Sequence, residues 1–122
     1  MDGKPSDQIR GSTIRFSWID GPTKGTTHEH VFHEDGTVEW HAVDEAFERR
    51  EGRSPHAPTD RKADRPRYYS VEVTDDFWLV SYLSNSGYTL TVVLNFEDGS
   101  IVGIASNDRN WIPVHGHFQV RT

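Results

Sequence analysis

Short runs of alternating apolar and polar residues, separated by turn-forming residues, dominate the chain and predict β-strands. In the run Tyr88–Phe96, alternate positions carry Tyr, Leu, Val, Leu and Phe, and the positions between them carry Thr, Thr, Val and Asn. Side chains alternate between the two faces of a strand, so one face of this run is a core face and the other is mixed. Its several β-branched residues disfavour a helix.

The same kind of run occurs eight times and predicts one antiparallel, all-β barrel. The predicted strands are Gly11–Asp20, Thr26–His33, Thr37–Val43, Tyr68–Val73, Phe77–Ser84, Tyr88–Phe96, Ser100–Ser106 and Val114–Arg121. Turns such as Glu34-Asp35-Gly36 join most of them at hairpin spacing. Closing eight strands into an up-and-down barrel removes exposed edges, and the interior then either fills with side chains or holds one small ligand.

Three segments depart from the strand pattern. Residues 1–10 are polar and predict a flexible tail, which leaves residues 11–122 as a single barrel domain. Residues 44–67 are charged and predict a long exposed loop, in which Asp44–Arg50 forms a short helical turn with Phe47 inward. A solvated insertion is the favoured interpretation of this loop, and a lid over one end of the barrel is the alternative. Asn107–Pro113 predicts a corner with Trp111 as its plug.

Charge and composition narrow the classes of partner. The 122 residues carry a net charge of −6, which argues against nucleic acid and an anionic membrane surface as partners. The absence of cysteine excludes disulfides, a thiol nucleophile and a thiolate metal site. The sequence shows no signal peptide and no apolar run that would span a bilayer, so we expect a cytoplasmic protein. No phosphate loop, G-x-S-x-G elbow or nucleotide fingerprint occurs, and we expect no cofactor.

Two H-x-H pairs supply the candidate metal ligands. His28 and His30 lie on the second predicted strand, and His115 and His117 lie on the last. Each pair places both imidazoles on one face of its strand, so convergence of the two pairs would suit Zn²⁺ or Fe²⁺. The spacing fixes no third class of ligand, and surface histidines explain the pattern as well. We therefore predict no metal site.

Three titratable residues are the candidate acid–base groups. Glu39 and His41 share one face of the third strand, and Trp40, the better core residue, occupies the other; this favours solvent around Glu39 and His41. Glu72 would either sit in a lumen with a raised pKa or face water. The alternate apolar residues of Tyr69–Val73 make the more obvious inner face of that strand, which favours water for Glu72.

The aromatic residues, 11% of the chain, are the candidate walls of a pocket. Most should be core, but a few that line a lumen would suit a flat, apolar or aromatic ligand. The candidate wall residues are Phe16, Trp18, Trp40, Tyr69, Tyr82 and Tyr88, with Ser84, Asn85 and Asn107 as polar contacts near a mouth. We expect Trp18→Ala to weaken ligand binding more than folding; equal loss would make Trp18 plain core.

Two C-terminal segments, Leu79–Asn107 and Asn110–Phe118 (NWIPVHGHF), resemble the MoaF-like domain, a small calycin barrel named for molybdenum cofactor biosynthesis protein F. The layout also resembles the phenolic acid decarboxylases, which share that barrel. The resemblance covers most of Gly11–Val120 except the long loop. It implies a calycin-like (lipocalin-like) barrel with an apolar pocket and, by analogy with that superfamily, a homodimer.

The resemblance does not extend to the residues of the decarboxylase reaction. In that family two first-strand tyrosines hold the substrate carboxylate, and the glutamate of a W-T-E-P-T-G segment protonates the side chain. The tyrosine positions fall here on Phe16 and Trp18, and Ser84 stands at the glutamate position. A serine without a partner is not a general acid at neutral pH, so this reaction is disfavoured.

Three functions remain open on the sequence. The preferred one is a barrel that binds a small apolar or aromatic molecule. The alternative is a cofactor-independent lyase, isomerase or cyclase in the same lumen, with His41, Glu39 or Glu72 as acid–base group. A buried, strongly shifted carboxylate or histidine that opens into the lumen would favour the enzyme. The third is a protein-interaction domain with a filled barrel and an exposed apolar patch on its wall.

Overall fold

One curled antiparallel sheet and one short helix make up the described chain. The computed structural model describes residues 8–52 and 65–121, without the side chains of 45–47. The elements are β1 (Thr13–Trp18), β2 (Thr27–Phe32), β3 (Val38–Ala42), α1 (Glu45–Glu51), β4 (Tyr68–Thr74), β5 (Phe77–Leu83), β6 (Thr89–Asn95), β7 (Ser100–Ser106) and β8 (Trp111–Val120). All eight predicted strands are present. They form a half-barrel with the strand order β3-β2-β1-β8-β7-β6-β5-β4.

The sheet is continuous from β1 to β8 and open between β3 and β4. Strand β1 pairs with both β2 and β8, as an up-and-down barrel requires. Strands β3 and β4 are the two edges, and among the described residues one bridge between Thr37 and Arg67 joins them. Strands joined by short turns pair as hairpins, whereas residues 43–67 separate β3 from β4. The predicted closed barrel is therefore a half-barrel at this seam.

The core fills the end of the half-barrel where residues 33–37, 75–76 and 96–99 connect the strands. Its fully buried side chains include Ile9, Ile14, Phe32, Val38, Leu94 and Ile101. Phe32 packs edge-on against Tyr68 at 5.0 Å between ring centroids, and the Tyr68 hydroxyl donates to the His33 carbonyl at 2.9 Å. Ile9, which we assigned to the tail, belongs to this core. Residues 1–7 of the predicted tail lie outside the described residues.

Strand β4 presents the face opposite to the predicted one. Tyr68 is 2% exposed and pairs with the buried Tyr82, whereas Tyr69, Val71 and Val73 are all more than half exposed. The prediction was wrong because it counted apolar residues on each face. Strand β4 is an edge, and its inner face is set by the single tyrosine that packs across the seam.

Charged side chains cover the outer face of β1–β3 and fix α1 to it. Arg15 donates to Glu29 at 2.9 Å and to both carboxylate oxygens of Glu48 in α1, at 2.9 and 3.0 Å. These side chains are 12%, 17% and 20% exposed. Burial opposes the charge of Arg15, but the hydrogen bonds to the two glutamates outweigh it and raise the pKa of the guanidinium. The predicted short helical turn is confirmed. The side chain of Phe47, which we predicted to point inward, lies outside the described side chains. Residues 53–64 of the predicted loop lie outside the described residues.

The outer face of β4–β8 carries apolar and hydroxyl side chains instead. Two rows of register partners cross these five strands, and together they define the outer apolar face. One row is Val71, Leu79, Val93, Val102 and His115, and the other is Tyr69, Ser81, Thr91, Ile104 and Pro113. Neither row contains a carboxylate, a lysine or an arginine. The outer face of the half-barrel is thus charged over β1–β3 and largely apolar over β4–β8.

Trp111 is not the plug that the sequence predicted. It is 74% exposed and pairs with Ser106 as the first residue of β8, on the same side of the sheet as the outer apolar face. Strand β8 begins three positions earlier than predicted, so the corner is confined to Asn107–Asn110. No helix in the described parts of the chain has the length and apolar character needed to cross a membrane.

Candidate ligand cavity

The end of the half-barrel opposite the core contains a cavity of about 280 Å³. It lies where residues 19–26, 84–88 and 107–110 connect the strands. The lining residues are Trp18, Pro22, Thr23, His28, His30, Trp40, Tyr82, Ser84, Ser86, Tyr88, Leu90, Ala105 and Val114. Among the described residues, no Asp, Glu, Lys or Arg belongs to the lining. The volume is close to the lower bound for pockets that hold small organic ligands.

Two tryptophans contribute to the lining from β1 and β3, the two strands that flank β2 in the sheet. Trp18 ends β1, is 5% exposed and meets the ring of Phe16 edge-on at 5.7 Å. It pairs with Gly116, where strands β1 and β8 approach so closely that a Cβ on the glycine would lie 2.3 Å from the Ser17 carbonyl oxygen. Trp40 is 37% exposed because β3 is an edge strand.

Two imidazoles continue the wall from Trp40 towards the interior. His30 pairs with Trp40 across β2 and β3, and the ring of His28 lies 4.9 Å from that of Trp40. Burial lowers the pKa of His28 below its ordinary value, and the charge of His41 adds to the effect. The wall is therefore aromatic and uncharged near neutral pH.

A buried hydrogen bond forms the floor of the cavity. The Nε2 atom of His30 lies 2.7 Å from the Tyr82 hydroxyl, and the imidazole stacks on Phe16 at 4.1 Å. Burial lowers the pKa of His30 to about 3 and raises the pKa of Tyr82 above its ordinary value. Both side chains stay uncharged at neutral pH. The Nδ1 atom of His30 has no hydrogen-bond partner among the described residues.

Five of the nine predicted wall and polar-contact residues line the cavity: Trp18, Trp40, Tyr82, Ser84 and Tyr88. Phe16 is fully buried behind His30 and belongs to the core instead.

Tyr69 is a wrong prediction. It is 68% exposed on the outer face, and together with Asn85 it lines a separate surface depression. Asn107 accepts hydrogen bonds from the backbone amides of Arg109 and Asn110 and does not line the cavity.

The three acid–base candidates do not lie in the cavity. Glu39 and His41 face outward, as favoured, but they are only 9% and 7% exposed, so the expectation that they are solvated is wrong. His41 Nε2 lies 3.4 Å from Glu29 Oε1, and Arg65 Nε lies 3.9 Å from Glu39 Oε2. Charged neighbours, which the local pattern does not reveal, cover them.

Glu72 is exposed and pairs with the buried Trp78 near the free edge of the sheet. It lies on the inner side of β4 but does not line the cavity. The favoured prediction that the Glu72 carboxylate faces water is right. The predicted face of β4 is wrong, because Glu72 lies on the inner face and not on the outer one.

The two histidine pairs lie on opposite faces of the sheet. His28 and His30 face the interior, whereas His117 pairs with Ser17 on the outside. His115 is exposed, and its Nδ1 atom lies 2.7 Å from Asp20 Oδ2. The hypothesis that the pairs converge on a metal is therefore wrong, and the described residues contain no group of three or more His, Asp or Glu side chains that could hold an ion.

Sequence reasoning missed the His30–Tyr82 pair, although a signal for half of it existed. His28, His30 and Phe32 alternate along β2, so an inward Phe32 places both imidazoles inward as well. The contact itself joins residues on β2 and β5, which are not neighbours in the sheet. No local pattern predicts such a pair.

The two serines of the lining hydrogen-bond to each other. The Ser86 hydroxyl donates to Ser84 Oγ at 3.0 Å, and the Ser86 amide donates to the same oxygen at 3.2 Å. The hydrogen bonds of the Ser84 hydroxyl thus lie within this local turn, and no base among the described residues hydrogen-bonds to it to activate it as a nucleophile.

Comparison with known proteins supports the fold alone. No protein-family model matches the chain, and no curated protein matches it in sequence. A solved structure described as a putative beta-lactamase from Burkholderia vietnamiensis superposes with a TM-score of 0.65 at 14% sequence identity. The match covers 97% of this chain and 100% of the other. The all-β half-barrel is therefore an architecture that occurs in another protein.

Proposed function

We propose that this protein binds a small, largely apolar or aromatic molecule in the open end of a calycin-like half-barrel. The observation that carries the proposal is the cavity of about 280 Å³ to whose lining Trp18 and Trp40 both contribute. Aromatic walls with few polar groups are typical of small-molecule sites. Membership of the MoaF-like domain family and a cytoplasmic location remain parts of this proposal.

Native mass spectrometry of freshly purified, untagged protein tests the proposal. We expect a bound mass of small-molecule size on the wild type and its loss in Trp40→Ala, because Trp40 lines the cavity. Trp111→Ala is the matched control, since Trp111 lies on the outer side of the sheet. Retention of the bound mass in Trp40→Ala, or its loss in both variants, would place the ligand elsewhere.

A cofactor-independent lyase, isomerase or cyclase is the second candidate. The His30–Tyr82 pair favours it, because a buried, strongly shifted histidine lies on the cavity floor. A general base works best with a pKa near the operating pH, whereas the pKa of His30 is about 3 and that of Tyr82 is raised. These directions favour a hydrogen-bonding role over proton transfer, so binding remains the first proposal.

The name of the structural neighbour adds no activity to this proposal. The structure described as a beta-lactamase is only 14% identical to this chain in sequence. The serines in the cavity of the present chain hydrogen-bond to each other, which does not favour a serine nucleophile.

We also propose that two copies of the chain associate through the outer apolar face. Five strands about 4.8 Å apart and two rows about 6.8 Å apart give this face roughly 24 Å by 14 Å. That area, about 330 Å², lies in the range of patches that mark interaction sites and is about two-fifths of what each partner contributes to a standard interface. A polar rim normally supplies the remainder.

A second copy suits this face because of its charge. Each chain carries a net charge of −6, and neither row of the face contains a carboxylate. Two copies related by a twofold axis bring identical patches together, so they meet here apolar against apolar and keep their charged β1–β3 walls apart.

A further inference from the structure

We infer that the ligand carries a hydrogen-bond acceptor that takes the hydroxyl hydrogen of Ser84 at the mouth of the cavity, with its flat apolar part below. This inference rests on the proposed function, and it names the chemical class of the molecule. It draws on three features of the described residues: the hydrogen bonds that the Ser84 hydroxyl already makes, the turn that holds this residue, and its height above the cavity floor.

The Ser84 hydroxyl has one hydrogen-bonding capacity left, and it is a donor. A serine hydroxyl offers one hydrogen and two acceptor lone pairs. The Ser86 amide donates to Ser84 Oγ at 3.2 Å, and the Ser86 hydroxyl donates to the same oxygen at 3.0 Å, so both lone pairs are occupied. The hydrogen has no acceptor among the described residues. Because Ser84 lines the cavity, a molecule bound there can accept this hydrogen.

A tight turn holds this hydroxyl in place. The Ser84 amide donates to the Tyr88 carbonyl at 2.8 Å, and the Gly87 amide donates to the Ser84 carbonyl at 3.0 Å. Gly87 has a φ of +96°, the left-handed conformation that closes a three-residue hairpin loop. Because the turn holds Ser84 and its two hydrogen bonds with Ser86 orient the hydroxyl, the direction left to the hydrogen is set before a ligand arrives. Such pre-organisation lowers the entropic cost of binding.

Ser84 lies at the mouth of the cavity, whereas Tyr82 lies at its floor. Ser84 directly follows β5 and is two positions beyond Tyr82, so the two residues share one side of the chain and are about 7 Å apart along it. Trp40 and Leu90 also belong to the lining, and their apolar surfaces suit the flat part of a ligand. The ligand is therefore an aromatic molecule with an acceptor at one end, such as a carbonyl, carboxylate or ether oxygen.

Two probes of nearly equal shape test this inference. The compound 2-acetylnaphthalene has a carbonyl acceptor, whereas 2-ethylnaphthalene has none. Equilibrium dialysis at pH 7.5 measures the affinity of the wild type and of two serine variants for each probe. The quantity to compare is the ratio of the acetyl affinity to the ethyl affinity, because the difference in hydration between the free probes is the same for every variant.

Ser84→Ala and its matched control Ser86→Ala assign the donor. Each variant removes the hydrogen bond between the two hydroxyls, but only Ser84→Ala removes the hydrogen that the ligand accepts. We expect Ser84→Ala to lower the affinity ratio roughly two- to tenfold, the contribution of one neutral hydrogen bond, and Ser86→Ala to leave it unchanged. In case Ser84→Ala does not fold, the amide signal of Ser86, which donates to Ser84 Oγ, tests the contact in the wild type: it should shift more with the acetyl compound than with the ethyl compound.

The outcomes separate this inference from the function on which it rests. An affinity ratio that is unchanged in Ser84→Ala, or that falls equally in Ser86→Ala, overturns the role of Ser84 and leaves the binding function intact. Equal shifts of the Ser86 amide signal with both probes have the same meaning. Failure of both probes to bind the wild type counts against the binding function itself and overturns this inference with it.

Discussion

The Nε2 atom of His30 lies 2.7 Å from the hydroxyl oxygen of Tyr82, and this contact joins two strands that are not neighbours in the sheet. It crosses the interior between β2 and β5 at the level where the packed core ends and the cavity begins. The half-barrel is open between β3 and β4, so a buried polar contact of this kind ties its two halves together.

His30 should make the protein sensitive to acid. Its pKa is about 3 in the folded state and 6.5 when unperturbed, so between these values the unfolded chain binds a proton that the folded chain does not. The free energy of unfolding should therefore fall as the pH is lowered from 6.5 towards 3, by up to about 1.4 kcal/mol per pH unit, and be unaffected by this group above 6.5. Urea unfolding at several pH values measures this dependence.

His30→Gln is the matched control for the acid effect. Its amide does not titrate and still offers Tyr82 a hydrogen bond, whereas every other titrating group is the same in both proteins. We expect a shallower decline for the variant below pH 6.5. Parallel curves for the two proteins would show that His30 is not the group responsible.

Replacing either wall tryptophan should weaken ligand binding, but the two replacements should differ in how much unfolding free energy they cost. The burial of Trp18 changes the expectation drawn from the sequence, that its loss would affect binding more than folding: Trp18 is 5% exposed and packs on Phe16, so Trp18→Ala should also cost about 3–5 kcal/mol of unfolding free energy. Trp40 is 37% exposed, so Trp40→Ala should cost less than about 2 kcal/mol. Both should lose binding of 2-acetylnaphthalene. Chemical unfolding and equilibrium dialysis measure the two effects, and an equal cost in stability would contradict the assignment of Trp40 to the cavity wall.

Gly116→Ala should disrupt the join between β1 and β8. A Cβ there would lie 2.3 Å from the Ser17 carbonyl oxygen and 3.2 Å from the Cα of Trp18, both of which are backbone atoms. We expect a loss of about 3 kcal/mol or more, since the two strands must separate. Gly25→Ala, where no atom lies within 4 Å but φ is +84°, should cost only about 1 kcal/mol. Thermal unfolding compares them, and a similar cost for both would mean that β8 shifts to accommodate the methyl group.

A charge on the outer apolar face should separate the proposed dimer. Ile104 is 43% exposed near the middle of that face, so Ile104→Asp would bury a carboxylate without a partner in the interface. Light scattering after size-exclusion chromatography should show a dimer for the wild type and a monomer for the variant. Val120→Asp, an equally exposed position outside the face, should leave the dimer intact. A monomeric wild type would remove the proposal.

The local pattern predicted the strands because each one is an autonomous run between turn residues. Alternation placed Val92 and Leu94 in the core, as observed. The inner face of β4 was not predictable, because it depends on how Tyr68 packs across a seam that the sequence does not mark. The burial of Glu39 and His41 was likewise hidden, since it comes from charged neighbours elsewhere in the chain.

The four tryptophans allow the most direct test of the proposed site. Trp18 and Trp40 line the cavity, whereas Trp78 is buried outside its lining and Trp111 lies on the outer side of the sheet. The measurement is a ¹H–¹⁵N spectrum of the four indole N–H groups during titration with 2-acetylnaphthalene. The proposed function predicts shifts at Trp18 and Trp40 and nearly unchanged signals from the other two. Shifts largest at Trp78 or Trp111, or none at saturation of the probe, would contradict it.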